Sequence, residues 1–318
     1  MKDAFGRTID YLRLSVTDLC DLRCRYCMPP EGVCKKHHAD MLTEEEMITA
    51  VNAAAQLGIR KVRITGGEPL VKKNILSICQ NVHTVPNIEQ VCLTTNGTHL
   101  SDMTQELKQA GVSRLNISLD TLDAHKYRQI TGGGELSAVL RGIERAQQVG
   151  FAQLKVNCVL IGGFNDDADS IRQMADLTNA GIHVRFIELM PIGNSMYFSK
   201  ASYVSTEKVL SALPTLEPLA PTEHSVARLY RAENASGTVG LISPMSNHFC
   251  ASCNKIRITA DGKIKPCLHS STEYTIKGKP PEEMKAILRY AIEHKPYRHF
   301  LNENGHSDAQ RMMYTIGG

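Results

Sequence analysis

Two rhythms of apolar residues alternate along the first two-thirds of the chain. Short β-rich runs occur at Tyr11–Val16, Lys61–Thr65, Gln90–Thr94, Arg114–Leu119, Lys155–Ile161 and His183–Glu188, and stretches with helical spacing separate them. One helix is predicted to open at Thr43, with Glu46 at capping-box spacing, and to run to about Gly58. Others cover Lys72–Val82, Ser101–Ala110, Glu135–Gln148 and Ala168–Ala180, and Gly58, Gly111, Gly150 and Gly181 stand where a helix should stop. Six βα units in a row predict a parallel sheet covered by helices. A doubly wound sheet fits the alternation too, but the units carry no phosphate-loop glycine signature. The expectation is therefore an α/β fold, a partial (β/α)6 barrel of the TIM type over residues 1–190.

The pattern changes after about Pro191. "ARLYRA" and "TVGLIS" read as antiparallel strands, and "KIRITADGKIKPCL" as a hairpin turning at Asp261-Gly262. A last helix is predicted from about Pro281 to Glu293. Residues 191–318 thus form, by expectation, a smaller C-terminal α+β domain. The terminal "TIGG" reads as a mobile tail on composition alone.

Composition narrows the class. The 318 residues carry a net charge of +3, too small to suggest a nucleic-acid or membrane surface. No apolar stretch approaches the roughly 18 residues of a membrane helix, and "MKDAFGRTID" is too polar for a signal peptide. The expectation is a cytoplasmic protein with no nucleic-acid or membrane partner. In a reducing compartment the ten cysteines are not expected to pair as disulfides. Cys34, Cys79, Cys92 and Cys158 are scattered and read as small hydrophobes. The other six fall into two groups of three.

Function in such a barrel collects at the C-terminal ends of the strands. Strand one leads to Cys20, Cys24 and Cys27, strand two to Gly66-Gly67-Glu68-Pro69, and strand three to Thr94-Thr95-Asn96-Gly97. Ser118 and Asp120 end strand four, Asn165-Asp166-Asp167 follow strand five, and Glu188 and Met190 end strand six. Parallel strands under helices usually read as continuous apolar runs, yet Arg13, Arg63, Lys155 and Arg185 interrupt four of these six. Strand parity puts Arg13 with Ser15 and Thr17, Lys61 and Arg63 with Thr65, Asn116 and Ser118 with Asp120, and Lys155 with Asn157. Leu12, Leu14, Val62, Ile64, Ile117, Leu119 and Val156 take the opposite face. The polar faces should line the lumen, where cations need anions. The anions are either internal carboxylates, Asp120 or Glu188, or a polyanionic ligand such as a nucleotide triphosphate.

Each cysteine group leaves two readings open. A structural zinc site has four protein ligands. His37 or His38 could complete one with Cys20, Cys24 and Cys27, and His248 or His269 could do so with Cys250, Cys253 and Cys267. Three thiolates on a 4Fe-4S cluster instead leave one iron open.

The first group has the spacing of the radical S-adenosylmethionine enzymes, with Tyr26 before the last cysteine and Gly-Gly-Glu-Pro after strand two. Over essentially its whole length the chain resembles the GTP 3′,8-cyclase family, whose members open molybdenum-cofactor biosynthesis. The pieces that carry the resemblance are "GRTIDYLRLSVTDLCDLRCRYCMP", "VRITGGEPL", "LTTNGTHL", "LNISLDTL", "KVNCVLIGGFNDD", "RFIELMPIG", "FCASCNKIRITADGKIKPCL" and the final "IGG". The resemblance implies two 4Fe-4S clusters, S-adenosylmethionine as cofactor and GTP as substrate. By that likeness Cys20, Cys24 and Cys27 hold the first cluster, and Cys250, Cys253 and Cys267 the second, whose open iron takes the guanine. Tyr26, Gly67, Ser118 and Met190 would contact S-adenosylmethionine. Arg13, Arg63, Thr94, Lys155, Lys255 and Arg257 would face GTP, and Gly317 and Gly318 would form a tail needed for activity. The family commonly has arginine where Lys255 stands. It gives Arg185 no role, which leaves that residue to a structural pairing. The reaction implied is removal of the ribose C3′ hydrogen by a 5′-deoxyadenosyl radical and closure onto guanine C8. A flavodoxin- or ferredoxin-like electron donor and the next enzyme of the pathway are the implied partners, and a homodimer is allowed. Two rivals stand beside this reading: a two-cluster radical enzyme that modifies a peptide, and a zinc-stabilised nucleotide-binding protein without chemistry.

Overall fold

Each of the six apolar runs is a strand: β1 (Tyr11–Ser15), β2 (Lys61–Thr65), β3 (Gln90–Thr95), β4 (Val112–Ser118), β5 (Gln153–Leu160) and β6 (His183–Glu188). They are consecutive and parallel in one sheet. The computed structural model describes residues 1–29, 31–32, 37–221 and 225–317; Cys34 and Gly318 lie outside the described residues. The helices between the strands are α1 (Glu44–Gln56), α2 (Ile75–Thr84), α3 (Leu100–Gln109), α4 (Ala124–Thr131), α5 (Leu136–Val149) and α6 (Ala168–Asp176). Thr43 and Glu46 cap α1 reciprocally, the Glu46 amide on the Thr43 hydroxyl at 3.2 Å and the Thr43 amide on the Glu46 carboxylate at 2.9 Å. Gly150, past the end of α5, adopts φ +74°, a left-handed conformation that glycine takes without a Cβ penalty.

Two helices depart from the pattern reading. α2 starts late because Pro69–Val71 first makes its own short turn. The run predicted over 168–180 ends as α-helix at Asp176 and finishes as a 3-10 turn over Leu177–Ala180. α4 was not expected from periodicity. Asp123 caps it by accepting the Lys126 amide at 2.9 Å, and Gly132 ends it at φ +71°.

The remaining elements are α7 (Glu207–Ala212), β7 (Glu217–Pro218), β8 (Arg228–Arg231), β9 (Val239–Ile242), β10 (Lys255–Ile258), β11 (Lys263–Lys265), β12 (Tyr274–Thr275), α8 (Pro281–Glu293), α9 (Leu301–Asn304) and α10 (Met313–Ile316). The two expected antiparallel pairs form, β8 with β9 and β10 with β11. Their strands do not build a separate sheet. β9 joins β6 and β10 joins β1, both in parallel, so the order is β12-β11-β10-β1-β2-β3-β4-β5-β6-β9-β8-β7. An open barrel leaves unpaired backbone groups on its two outer strands, and the C-terminal third covers both.

Strand parity holds. Leu12, Leu14, Val62, Ile64, Ile117, Leu119 and Val156 are all buried in the core between sheet and helices. The tail is the exception to its composition. Ile316 is 1% exposed and packs with Ile192 and Ala309, which carries Gly317 into the lumen.

Candidate active site

Register fixes which end of the lumen each cysteine group occupies. Cys20, Cys24 and Cys27 follow β1, at the C-terminal mouth. β10 runs parallel to β1 with Tyr11 opposite Lys255 and Arg13 opposite Arg257. Cys250 and Cys253 precede β10, so they lie at the N-terminal mouth, and antiparallel β11 returns Cys267 to the same mouth. The two groups face each other along the barrel. Four residue steps separate Tyr11 from Ser15, about 13 Å at roughly 3.3 Å each.

At the C-terminal mouth the cysteine loop is tied down by backbone. The Cys27 and Met28 amides donate to the Cys24 carbonyl at 2.9 and 3.0 Å, and the Arg23 and Arg25 amides donate to the Thr131 and Ile130 carbonyls at the end of α4. Gly67 lies directly under this loop: its amide donates to the Thr17 carbonyl at 2.8 Å, and a Cβ there would overlap the Leu19 carbonyl. Glu68 then buttresses the next strand end, accepting from the Leu70 amide (2.9 Å), the Thr95 hydroxyl (2.7 Å) and the Asn96 amide (2.6 Å). Burial pushes its carboxyl up to about 7. Tyr26 donates to Asp120 at 2.8 Å, and the Val159 amide donates to the other Asp120 oxygen at 2.8 Å. Burial raises all three thiols, Cys20 to about 11 and Cys27 to about 12, with Cys24 also well above its ordinary value. Groups so costly to ionise alone are deprotonated by a bound metal centre.

The middle of the lumen is cationic. Arg257, Arg13 and Arg63 stand side by side on β10, β1 and β2. Arg63 donates to the Tyr11 hydroxyl, and at 3.3 Å to the Leu93 carbonyl and the Thr94 hydroxyl. Lys255 and Lys61 lie against the Tyr11 ring, one row nearer the second cysteine group. Lys155 is lowered to about 7 by burial, with Arg185, Arg63, Lys61 and Arg114 adding to the effect. Burial and the neighbouring Arg257 likewise push Arg13 down. The Arg13 Nε is buried with no hydrogen-bond partner among the described residues. The internal carboxylates do not answer these cations. Asp120 is taken by Tyr26 and Val159, while Glu188 accepts the Met245 and Ser246 amides at 2.9 Å. Arg185 turns instead to β9, donating at 3.1 Å to both the carbonyl and the hydroxyl of Thr238, and lies over Gly240, where a Cβ would block it. A cationic lumen without carboxylate partners among the described residues suits a polyanion.

At the N-terminal mouth three basic residues organise the second group. Arg7, paired with Asp3 at 2.6 Å, donates to the carbonyls of Cys250 (2.9 Å), Tyr297 (2.9 Å) and Pro296 (2.8 Å). Lys295 is 3% exposed and donates to the Lys255 carbonyl at 2.9 Å and to the Pro266 carbonyl. Burial would raise Cys253, but Lys295 and Lys255 outweigh it and hold the thiol below its ordinary value. Pattern reading did not single out Arg7 or Lys295. A lysine two residues past the end of an amphipathic helix, and an arginine in a polar lead-in, look like surface residues until the fold folds back on them.

The expected residues thus group as follows. Tyr26, Gly67 and Ser118 lie at or beside the first mouth, and Met190, after β6, packs beside Ile192 and Ile316. Arg13, Arg63, Thr94, Lys155, Lys255, Arg257 and Gly317 line the middle. His37 and His38 are exposed. Among the described residues the thiols of neither group converge within 4.8 Å of one another.

The radical SAM superfamily model matches residues 14–177, and the Molybdenum Cofactor Synthesis C model matches residues 182–301. A protein of Alkaliphilus metalliredigens named GTP 3′,8-cyclase is 48% identical over 322 residues, covering 100% of both chains. One of the same name from Peptoclostridium acidaminophilum is 46% identical, covering 99% of this chain and 98% of its own. Among solved structures, Streptococcus suis SuiB bound to S-adenosylmethionine matches with a TM-score of 0.62 at 16% identity, over 84% of this chain and 63% of that one. That last likeness speaks for the fold alone.

Proposed function

The chain belongs to the GTP 3′,8-cyclase family, and we propose that it binds GTP in the lumen between two 4Fe-4S clusters. The reaction is the first step of molybdenum-cofactor biosynthesis. The observation that carries this reading is the row Arg257–Arg13–Arg63, without a carboxylate partner among the described residues and set between cysteine groups at opposite mouths.

Cys20, Cys24 and Cys27 hold the first cluster, and Cys250, Cys253 and Cys267 the second. With S-adenosylmethionine bound, the first cluster would supply a 5′-deoxyadenosyl radical for removal of the ribose C3′ hydrogen, and closure of the ribose carbon onto guanine C8, completed by one further electron and a proton, would give 3′,8-cyclo-7,8-dihydro-GTP. Every other task falls to the chain. Tyr26, Gly67, Ser118 and Met190 orient S-adenosylmethionine at the C-terminal mouth. Arg13, Arg63, Thr94, Lys155 and Arg257 hold GTP, and Lys255 meets it one row nearer the second cluster. Gly317 and Gly318 form the tail needed for activity, and the Gly317 carbonyl holds Arg13 and Arg257 in place. Residues 1–190 provide the barrel and the first cluster; residues 191–318 provide the second cluster and the tail.

A flavodoxin- or ferredoxin-class donor supplies both electrons of the turnover, one for cleavage of S-adenosylmethionine and one for the cyclised radical, and the product passes to the next enzyme of the pathway. The reading allows a homodimer and places the protein in the cytoplasm; among the described residues no helix is long and apolar enough to cross a membrane. The test is anaerobic incubation of the iron- and sulfide-reconstituted protein with GTP, S-adenosylmethionine and dithionite. Cyclised product is expected; 5′-deoxyadenosine without any cyclised nucleotide would overturn the assignment of substrate.

A further inference from the structure

The second cysteine group has neighbours that the cyclase reading does not use. His248, Cys250 and His299 bring one donor atom each within 4.8 Å of one another. Among the described residues they are the one such set of three. Nδ1 of His248 lies 3.2 Å from Nε2 of His299. Tetrahedral zinc with Zn–N of 2.0–2.1 Å spaces two imidazole nitrogens by about 3.3 Å, so the pair already stands at the edge length of a zinc tetrahedron.

The set is held in place by something other than a metal. Arg7 donates to the Cys250 carbonyl and to the carbonyls of Pro296 and Tyr297, so one guanidinium joins the segment of Cys250 to the segment that leads into His299. Arg7 is itself buried against Asp3. His299 is further supported by His269, whose ring centroid lies 4.5 Å away.

We propose that His248, Cys250 and His299 form an alternative site for a single zinc ion, filled when the second cluster is absent. The ligands are one thiolate and two neutral imidazoles, with water in the fourth position. Binding releases the Cys250 proton to solvent. Zinc on Nε2 of His299 moves that ring's proton to Nδ1 and gives up the long 3.4 Å contact from the Leu301 amide, which keeps the site weaker than a closed structural one. Cys253 and Cys267 take no part. Because both centres need Cys250, zinc and the second cluster exclude each other, and a zinc-loaded chain cannot rebuild that cluster until the ion leaves.

The test uses the full-length chain stripped of iron and sulfide under anaerobic, reducing conditions. It is titrated with cobalt(II), and zinc affinity is then read by competition with a chromophoric chelator. The first cysteine group contributes equally to every variant, so differences report on this site. His299→Gln and Cys250→Ala should each lose one thiolate-ligated cobalt and weaken zinc by roughly a hundredfold or more, a lost ligand counting for at least as much as the 10–100-fold of an outer-shell partner. Cys267→Ala should keep the ion within about threefold. After zinc preloading, His299→Gln should take up about four more irons per chain on reconstitution than the wild type does, one cluster's worth, which also shows that this variant folds. Loss of the ion in Cys267→Ala would place it on the three cysteines and overturn the proposal, as would unchanged zinc binding in His299→Gln.

Discussion

Arg257 donates from Nη1 to the carbonyl of Gly317 at 3.0 Å. Nη2 of Arg13 reaches the same oxygen at 3.3 Å. Two buried guanidinium groups side by side repel, and a carbonyl dipole pointed between them offsets part of that cost. Gly317 thereby forms part of the lumen wall, and the Arg13 Nε is left without a hydrogen-bond partner among the described residues.

Gly317 sits at φ +82°, and a Cβ there would lie 2.6 Å from the Thr65 hydroxyl and 2.9 Å from the Ser15 Cβ. A left-handed conformation costs a residue with a side chain roughly 1–2 kcal/mol, before the crowding is counted. Gly317→Ala should therefore pull the tail out of the lumen and slow cyclisation by about tenfold or more. The short α10 contributes little to global stability, so the unfolding midpoint should move by only a degree or two, by the roughly 2–4 °C per kcal/mol of a chain this size. Product formation and thermal unfolding measured on the same preparation decide the point. A variant with wild-type rate would show that the carbonyl bridge is dispensable.

Iron content separates the two centres. Two clusters of four irons give about eight per chain. Replacing Cys250, Cys253 and Cys267 together with Ala should leave about four, still able to cleave S-adenosylmethionine slowly but not to cyclise GTP. Full iron content in the triple variant would remove the second cluster from these thiols.

Much of this was legible in the sequence because its signals are local. Thr43 and Glu46 declare a helix start, Gly150 a stop, and the residue-by-residue alternation around Arg13, Arg63 and Lys155 separates lumen from core. α4 escaped because its polar run "AHKYRQIT" has only Tyr127, Ile130 and Thr131 to bury; Asp123 at its start and Gly132 at its end were the available signals. What the sequence could not reveal is long-range. Nothing in "NKIRIT" says that β10 lies parallel beside β1, yet that pairing puts the second cysteine group at the far mouth. Likewise "TIGG" is mobile by composition, and only the packing of Ile316 on Ile192 and Ala309 fixes it.

With Lys155 in the proposed GTP site, GTP binding should be sensitive to pH. Its ammonium is lowered to about 7 in the ligand-free protein, first by burial and then by neighbouring cations. A triphosphate favours the charged form and raises that value. Below about pH 7 the residue is already protonated and binding takes up no proton there; above it, binding draws one in, so affinity falls as pH rises, by up to about tenfold per unit. Calorimetry in buffers of different ionisation enthalpy reads the uptake directly. Lys155→Met should abolish it, while any contribution from the nucleotide's own phosphates persists; equal uptake in both proteins would exclude Lys155.

Lys295 spans two segments that each carry a cysteine of the second group. Its ammonium joins the Lys255 carbonyl, two residues past Cys253, to the Pro266 carbonyl, one before Cys267. Lys295→Met keeps the aliphatic bulk and leaves two carbonyls buried without this donor, a loss of roughly 1–3 kcal/mol each. Iron retained after brief exposure to a chelator should fall toward four per chain, with the first cluster intact. Unchanged retention would mean the carbonyls find other donors and the clamp is incidental.

Lys255 and Arg257 share a face of β10, but they are not equivalent. Arg257 is opposite Arg13 and is anchored by Gly317, whereas Lys255 is opposite Tyr11, donates to the Asn254 side chain at 3.1 Å and lies 5.5 Å from the centre of the Tyr11 ring. That position is inside the lumen, not on a solvated hairpin. Arginine presents a planar fork that can meet a phosphate or a guanine edge at two points; lysine presents a mobile point charge. Losing Lys255 should accordingly cost less than losing Arg257. Lys255→Ala should weaken GTP binding about fivefold, the scale of one net hydrogen bond near 1 kcal/mol, and Arg257→Ala by about 2 kcal/mol or more. Lys255→Arg restores the fork and should hold affinity or improve it by up to about the same fivefold. Anaerobic binding measurements on the three variants rank these contributions. If Lys255→Ala binds GTP as tightly as the wild type, the lysine supports Asn254 and Tyr11 alone, and Arg257 carries this wall of the site.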